Sequence, residues 1–320
     1  MKAVGFDAYG PPEVLKTFVL TVPEPASDQV LVRVRATSVN PLDCEVRSKT
    51  SFFVRPKTGF PRVLGFDVSG VIEQVGSAVR LYKEGDEVFG LVDYRRDGAD
   101  AEYARVREAF LHKKPASLSH EEAAAVPLAG LTALQALRLK GRMKKDDRVL
   151  IVGATGGVGH LGLQIAKAYG AHVSALTRRA HEDFVRGLGA DAVFAHETGG
   201  VPDGERFDLV FDTVGAWSWS AAKRHLARKG RYVSTHRDFA GLFKARLGRL
   251  IGLKERCLLV IVVPDPHGLK YLFELIEAGK LRPVVQRVYP LEALAEAHRE
   301  SEAGHVIGKL VVTVPEGDTA

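Results

Sequence analysis

The stretch IVGATGGVGHLGL, from Ile151 to Leu163, sets five glycines between an apolar run and a segment with helical spacing. Bare backbone lets a ligand come closer than any side chain would, and the first turn of a following helix offers unpaired N–H groups to a phosphate. Aligned to the dinucleotide pattern G-x-G-x-x-G, the residues are Ala154, Thr155, Gly156, Gly157, Val158 and Gly159, with alanine replacing the first glycine. Gly156 is expected to admit a pyrophosphate and Gly159 to bring helix and strand together. Gly153 should end the strand, Gly157 help make the turn, and Gly162 thin the helix face. A triphosphate-binding loop is a poor match, because no Gly-Lys-Ser/Thr follows.

A second group of residues speaks to which dinucleotide. About 20 positions beyond such a turn, a carboxylate ordinarily accepts hydrogen bonds from the free ribose of NAD. Here that place holds Thr177, then Arg178 and Arg179, with no carboxylate to repel a phosphate and two guanidinium groups able to clamp one. NADP is therefore expected, the alternative for Arg178 and Arg179 being a solvated loop. His196, just past the next strand, could flank the adenine or its phosphate. Val214 with Gly215, and Ser234, Thr235 and His236, end two further strands where ligands gather in such sheets.

These residues need a particular scaffold. From Arg148 to Val263 short apolar runs alternate with helical or loop-like segments: RVLIVGA, HVSALT, DAVFA, FDLVFDTVG, RYVSTH and CLLVIVV. That order predicts a doubly wound parallel sheet of the α/β class. The first hundred residues instead look all-β, as in the alternating VLVRVRATSV from Val30, and predict a barrel-like domain without long helices. Between them, SHEEAAAVPLAGLTALQALRL starts on a Ser119 cap and continues in strong helix formers. After two helical stretches, GKLVVTV from Gly308 reads as a closing strand that could rejoin the first domain.

A length of 320 residues suits two domains. No run approaches the roughly 20 apolar residues of a membrane span, and Met1 leads into KAVGFDAYG without a signal-type core, so no membrane partner and a cytoplasmic location are expected. Cys44 and Cys257 are far apart and read as ordinary thiols. The formal charge of +6 favours anionic small molecules such as nucleotides. Its scattered basic pairs, KK at 113 to 114 and RKGR at 228 to 231 among them, read as solvated loops and helix ends. They lack the aromatic-plus-basic pattern of a nucleic-acid binder. Asp43 and Asp67 read as structural acids beside Arg or Lys.

The chain resembles the zinc-independent quinone oxidoreductase and enone reductase branch of the medium-chain dehydrogenase/reductase superfamily. The likeness rests on NPLDCEVR (Asn40 to Arg47), VLGFDVSGVIEQVG (Val63 to Gly76), GDEVFG (Gly85 to Gly90), AEYARV (Ala101 to Val106), VPLAGLTAL (Val126 to Leu134), GATGGVG (Gly153 to Gly159), FDTVG (Phe211 to Gly215) and GKLVVTV, in this order. It implies a GroES-like β-barrel catalytic domain over 1–120, completed by 266–320, around a Rossmann NADP-binding domain over 121–265. The cleft between them would hold nicotinamide, and the protein would be a homodimer.

Where zinc alcohol dehydrogenases of the superfamily bind catalytic metal, the matching positions are Asn40, Phe66 and Leu128, an amide, a phenyl ring and an alkyl chain that cannot hold zinc. Without a Lewis acid, hydride transfer from NADPH to a quinone or an α,β-unsaturated carbonyl is the expected chemistry. The other readings are a zinc-free alcohol dehydrogenase-like enzyme and an NADPH-binding sensor or nucleic-acid-binding protein with little turnover. By the same resemblance Asn40 is the catalytic candidate, its amide donating to a substrate carbonyl or to the nicotinamide ribose, the alternative being that it fixes the turn before Pro41. Thr132 should reach the nicotinamide-side phosphate or ribose, or bond to its own helix. Lys309 could approach the cofactor or lie at the surface. Several relatives place tyrosines near the quinone; here the region offers Phe52 and Phe53, so a proton from water is expected. Arg47, Lys49, Arg55 and Lys57 make that loop basic, which would suit an acidic or coenzyme A substrate, although a solvated loop is the reading preferred.

Overall fold

The computed structural model describes residues 1–51, 59–93, 98–250 and 256–315, side chains at 239, 244, 245 and 248–250 excepted. Two compact units divide the chain: Met1–Leu128 with Pro264–Glu277 and Pro283–Ala320, and Ala129–Val263 with Ala278–Arg282.

The first unit carries strands β1 (Lys2–Phe6), β2 (Lys16–Val19), β3 (Gln29–Val39), β4 (Arg62–Val63), β5 (Asp67–Val75), β6 (Glu87–Leu91), β7 (Tyr103–Arg107) and β8 (Leu111–Lys113). Strand β3 is the spine. It pairs antiparallel with β5 and β7, and its alternation buries Val30, Val32, Val34 and Ala36 while Arg33 and Arg35 stay half-buried. The expectation of no long helices leaves room for a short one, and Pro41–Arg47 forms it, α1. Pro41 at its first position gives up no needed N–H, and the Asp43 carboxylate accepts from the Asn40 backbone N–H at 2.8 Å. Seven residues are too few to show a period in sequence.

Ser119 starts helix α2 (His120–Ala124) with a reciprocal cap: its hydroxyl accepts from Glu122 N, and the Glu122 carboxylate accepts from Ser119 N. The helix does not run on as the sequence led us to expect. It stops before Pro127, which opens α3 (Pro127–Leu134) and passes into a π-helical turn over Gln135–Lys140. Ala124 and Ala125 pack against Ala36 and Val311, which ties α2 to the first unit.

The second unit is a six-stranded parallel sheet built from β9 (Arg148–Val152), β10 (His172–Thr177), β11 (Ala192–Ala195), β12 (Phe207–Asp212), β13 (Leu226–Ser234) and β14 (Arg256–Leu259). Its order is β11-β10-β9-β12-β13-β14, so the winding reverses between β9 and β12. In such sheets ligands bind at that reversal, outside the carboxyl ends of the strands. Helices α4 (Gly157–Ala168), α5 (Glu182–Gly187), α6 (Trp219–Lys223) and α7 (Phe239–Leu250) connect them. RKGR at 228 to 231 lies within β13 rather than in a loop.

The chain then returns to the first unit with α8 (Pro266–Glu277), β15 (Val285–Pro290), α9 (Leu294–Ala303) and β16 (Lys309–Thr313). Strand β16 pairs antiparallel with β3 and so brings the closing strand into the first unit. Residues 278–282 stay with the second unit, because Gln164 on α4 donates to Arg282 O at 3.0 Å and accepts from Arg282 N at 2.9 Å. Among the described residues no helix is long and apolar enough to cross a membrane.

Candidate functional site

Strand β9 buries Val149 to Val152 completely and ends at Gly153, whose φ of +76° turns the chain where a side chain would be strained. The glycines after it differ in what surrounds them. A Cβ on Gly159 would stand 2.1 Å from Gly153 O, so helix α4 can seat against the strand end only with glycine there. A Cβ on Gly156 would meet nothing nearer than Gly153 O at 3.7 Å. The protein therefore leaves space at Gly156 that its own packing does not need.

Gly156 is the N-cap of α4, with no side-chain cap and no acidic residue in the first turn. The N–H groups at the start of α4, over Gly157, Val158 and Gly159, point out of the helix without intrahelical acceptors. Their field favours an anion. His160, completely buried, donates from Nδ1 to Gly156 O at 2.9 Å and fixes the turn, a role the sequence reading missed. Ala154 is buried and Thr155 half-buried beside it.

Across the reversal, β12 ends at Asp212, whose carboxylate accepts from the backbone N–H of Val214, Ala216 and Trp217 and from the Tyr232 hydroxyl. Thr213 donates to Val152 O at 2.9 Å, joining the ends of β9 and β12. Thr235 donates to Thr213 O, and Ser234 accepts from His236 N. Gly215 lies against the His236 side chain. Val214, Gly215, Ser234, Thr235 and His236 are thus brought to one edge, with Asp212 and Thr213 as unforeseen organisers.

At the end of β10, Thr177 is buried and Arg178 and Arg179 are exposed, as is His196. The expectation that no carboxylate stands there needs correction. Glu197, from the turn after the adjacent β11, accepts from Arg179 N at 3.0 Å. Strand pairing delivers a residue that sequence distance hid. Its carboxyl is held below the usual range by the backbone N–H groups of Glu197 itself and of Arg179, with His196 and Arg178 adding to them. Thr132 lies half-buried on α3.

In the first unit the named polar residues converge on one carboxylate. Asp67, completely buried, accepts from Leu128 N at 2.7 Å on Oδ1, and from the Ser38 hydroxyl at 2.5 Å and Asn40 Nδ2 at 2.8 Å on Oδ2. Lys309 is buried rather than superficial; its Nζ donates to Asn40 Oδ1 at 2.5 Å and Val39 O at 3.2 Å and lies 3.8 Å from Asp67 Oδ2. The second Asn40 amide hydrogen goes to Ser38 O at 3.3 Å. Both hydrogens are engaged inside the cluster, which leaves none for a substrate carbonyl.

Asp43 sits beside this network with its carboxyl raised to about 7 by burial, Asp67's charge adding to the effect while backbone N–H groups and Lys309 oppose it. Burial likewise pushes Asp100 well up and Lys309 down. The positions matched to zinc ligands do meet here, Asn40 and Leu128 through Asp67 and Phe66 next to it in sequence. What joins them is a carboxylate that already accepts three hydrogen bonds, and among the described residues no His, Cys, Asp and Glu group is disposed to hold a metal ion. A zinc ion does not fit these donors.

Arg47 corrects another expectation. It is 1% exposed, bonded from Nε to Gly10 O at 3.1 Å, from Nη1 to His298 Nδ1 at 3.0 Å and paired with Glu302, so it joins α1 to α9 instead of making a basic loop. Lys114, also expected to be solvated, is mostly buried against Glu87. Lys49 is exposed; Phe52, Phe53, Arg55 and Lys57 lie outside the described residues. Burial pushes the Cys44 and Cys257 thiols up to about 12, which makes both poor nucleophiles.

Residues 26–116 match the alcohol dehydrogenase GroES-like domain family, and 188–312 match a zinc-binding dehydrogenase family. A chloroplastic quinone-oxidoreductase homolog of Spinacia oleracea is 31% identical over 98% of each chain. The solved quinone oxidoreductase of Coxiella burnetii is 32% identical, with a TM-score of 0.86 over 98% of this chain and 99% of that one. The Escherichia coli quinone oxidoreductase, solved in complex with NADPH, is 27% identical with a TM-score of 0.81 over 98% and 100%.

Proposed function

The chain belongs to the zinc-independent quinone oxidoreductase branch of the medium-chain dehydrogenase/reductase superfamily, and from that membership we propose that it is an NADPH-dependent reductase of quinones or α,β-unsaturated carbonyls. The observation that carries the reading is the turn from Gly153 to Gly159, an uncapped helix start at the sheet reversal with room left at Gly156. That is a cradle for a pyrophosphate.

NADPH, when bound, supplies the hydride. The Gly156 turn holds its pyrophosphate, Arg178 and Arg179 take the ribose phosphate by charge-assisted hydrogen bonds, and His196 flanks that end. Glu197, tied to Arg179 N, orders the turn from which both arginines project. Val214, Gly215 and Ser234 to His236 line the carboxyl edge of the sheet. Thr132 serves the nicotinamide end from the second unit. In the first unit Asn40 takes a positioning part, its amide oxygen accepting from the Lys309 ammonium.

Phe66 and Leu128 offer no lone pair to a metal, so an acceptor that is already conjugated suits the site better than an alcohol whose proton must be removed. The proton that completes the reduction comes from water. A homodimer in the cytoplasm belongs to the same proposal.

The test is oxidation of NADPH and NADH with a naphthoquinone, an enone and an aldehyde, on protein assayed for zinc. NADPH turnover with the quinone or enone by zinc-free protein is expected. Replacing both arginines, Arg178→Gln with Arg179→Gln, should raise the KM for NADPH about 10- to 100-fold and leave that for NADH unchanged. Turnover of aldehyde alone with stoichiometric zinc would overturn the reading, and preference for NADH would remove the role of the arginines.

A further inference from the structure

Strands β12, β13 and β14 set Leu209, Arg231 and Arg256 in one row: Leu209 is the register partner of Arg231, and Arg231 that of Arg256. The next pair in the register, Tyr232 and Cys257, packs into a common core with Trp219 and so marks one face of the sheet. Successive side chains of a strand alternate faces, so Leu209, Arg231 and Arg256 project from the opposite one. Over that row lies the end of the π-helical turn that follows α3. Arg231 donates from Nη1 to Lys140 O at 3.3 Å, and a Cβ on Gly141 would stand 2.7 Å from Leu209 Cδ2. Glycine lets the turn rest on Leu209, and Arg142 follows it directly, exposed and at a φ of +49° that side chains seldom adopt.

Three guanidinium groups from separate parts of the second unit are thereby gathered, Arg231 half-buried and Arg142 and Arg256 exposed. Among the described residues none of the three pairs with a carboxylate. Arg231 has a structural duty, since it closes a carbonyl left open at a helix end. The Arg142 and Arg256 side chains make no such bond among the described residues, and like charges facing each other on neighbouring strands work against the pairing. Burial, with the charges of Arg142 and Arg256 added, pushes the Arg231 guanidinium below the ordinary arginine range. An anion would turn this repulsion into attraction, and planar forks of N–H donors match the oxygens of a phosphate group.

We propose that Arg142, Arg231 and Arg256 form a second anion site, which takes a phosphate group either as inorganic phosphate or on a small monoester. The site is separate from the pyrophosphate turn. Arg231 is level with Val149 near the start of β9, whereas Gly153 follows the end of that strand. Along β13, Ser234 at the carboxyl edge lies about 10 Å beyond Arg231. Which acceptor the enzyme reduces has no bearing on the site.

Inorganic phosphate and glycerol 3-phosphate are to be titrated calorimetrically into the full chain with saturating NADPH, at fixed ionic strength made up with sodium chloride. NADPH keeps phosphate off the Gly156 turn; the chain carrying Arg178→Gln with Arg179→Gln, titrated without NADPH, separates the two sites even if the cofactor does not bind. Saturable binding is expected in both titrations, and the tighter of the two ligands identifies the form in which the group is taken. Arg142→Gln and Arg256→Gln should each weaken it about ten-fold or more and leave the Kd for NADPH unchanged. Without phosphate the Arg256→Gln chain should unfold at the parent's Tm or above, and added phosphate should raise the Tm of the parent more than that of the variant. No saturable binding, binding that both substitutions leave intact, or an Arg256→Gln chain that melts below the parent without phosphate would each overturn the proposal. So would an oligomer that Arg256→Gln dissociates, by showing that a second copy supplies the counter-charge.

Discussion

Between Gly153 and Gly159 the candidate binding groups are backbone N–H donors, presented by a strand that stops and a helix that starts within a few residues. Around Asp67 they are side chains drawn from β3, the N-cap of α1, β5 and β16, held together by a buried charge pair. The first arrangement depends on atoms that are missing, the second on atoms that must all be present. The difference teaches that the two regions should fail in different ways when altered: a turn tolerates or rejects a methyl group according to local space, whereas a buried polar cluster loses its balance when any member goes.

The largest effect is expected in the cluster. Asp67→Ala strips the acceptor from Leu128 N, Ser38 and Asn40 and leaves the Lys309 ammonium buried without its counter-charge. Breaking one side of a buried pair in this way should cost about 3–5 kcal/mol, read as a shift in the urea midpoint. Lys309→Met should cost less, because Asp67 keeps its three hydrogen-bond donors. If both variants unfold like the parent, the cluster is not the structural centre of its unit.

The turn should respond next. Gly159→Ala places a methyl 2.1 Å from Gly153 O, a backbone atom that cannot swing aside. We expect about 1–3 kcal/mol of destabilisation by urea unfolding, in spite of alanine's better helix propensity, together with weakened NADPH binding.

How these two regions read in sequence follows from the same contrast. The turn was legible because its residues are contiguous and glycine spacing records backbone geometry directly. The parallel sheet was legible for a similar reason, since each buried strand is a short apolar run. Asn40, Asp43, Asp67 and Lys309 were each visible as candidates, yet nothing local joins them: the Asn40 to Lys309 bond spans 269 positions and needs β16 to pair with β3. Glu197 is not legible in the sequence because only the pairing of β10 with β11 brings it near, and the formal charge of Arg47 points to solvent although a histidine and a glutamate on α9 lie against it. Helix α1 was hidden by its length.

A smaller effect in the cluster is carried by pH. The Asp43 carboxyl is raised to about 7 in the folded chain from an ordinary value near 4, so the folded state holds a proton that the unfolded chain gives up in that range. The stability this contributes is complete below the unfolded value and is lost as pH rises through about 7. Asp43→Asn removes the titration. The difference in Tm between parent and variant should therefore move against the parent as pH rises from 4 to 7 and level off above. A difference that is flat across this window would show that Asp43 is already ionised in the fold.

The smallest expected change in stability separates the two glycines of the turn. Gly156 has φ −73° and ψ 176°, a conformation open to any residue, and a Cβ there has no neighbour inside 3.7 Å. Gly156→Ala should leave the Tm nearly unchanged, because alanine's smaller loss of freedom on folding is offset by its poorer service as a helix N-cap. The same methyl stands where the pyrophosphate is proposed to approach, so the Kd for NADPH should rise while the fold is kept. Gly159→Ala loses stability and binding together; Gly156→Ala should lose binding alone, measured by calorimetric titration with NADPH on the same preparation used for Tm. A Gly156→Ala chain that binds NADPH as tightly as the parent would mean that the space at this glycine is not the phosphate cradle, and the cofactor's place at the sheet reversal would have to be assigned to Val214, Gly215 and the turn after β13 instead.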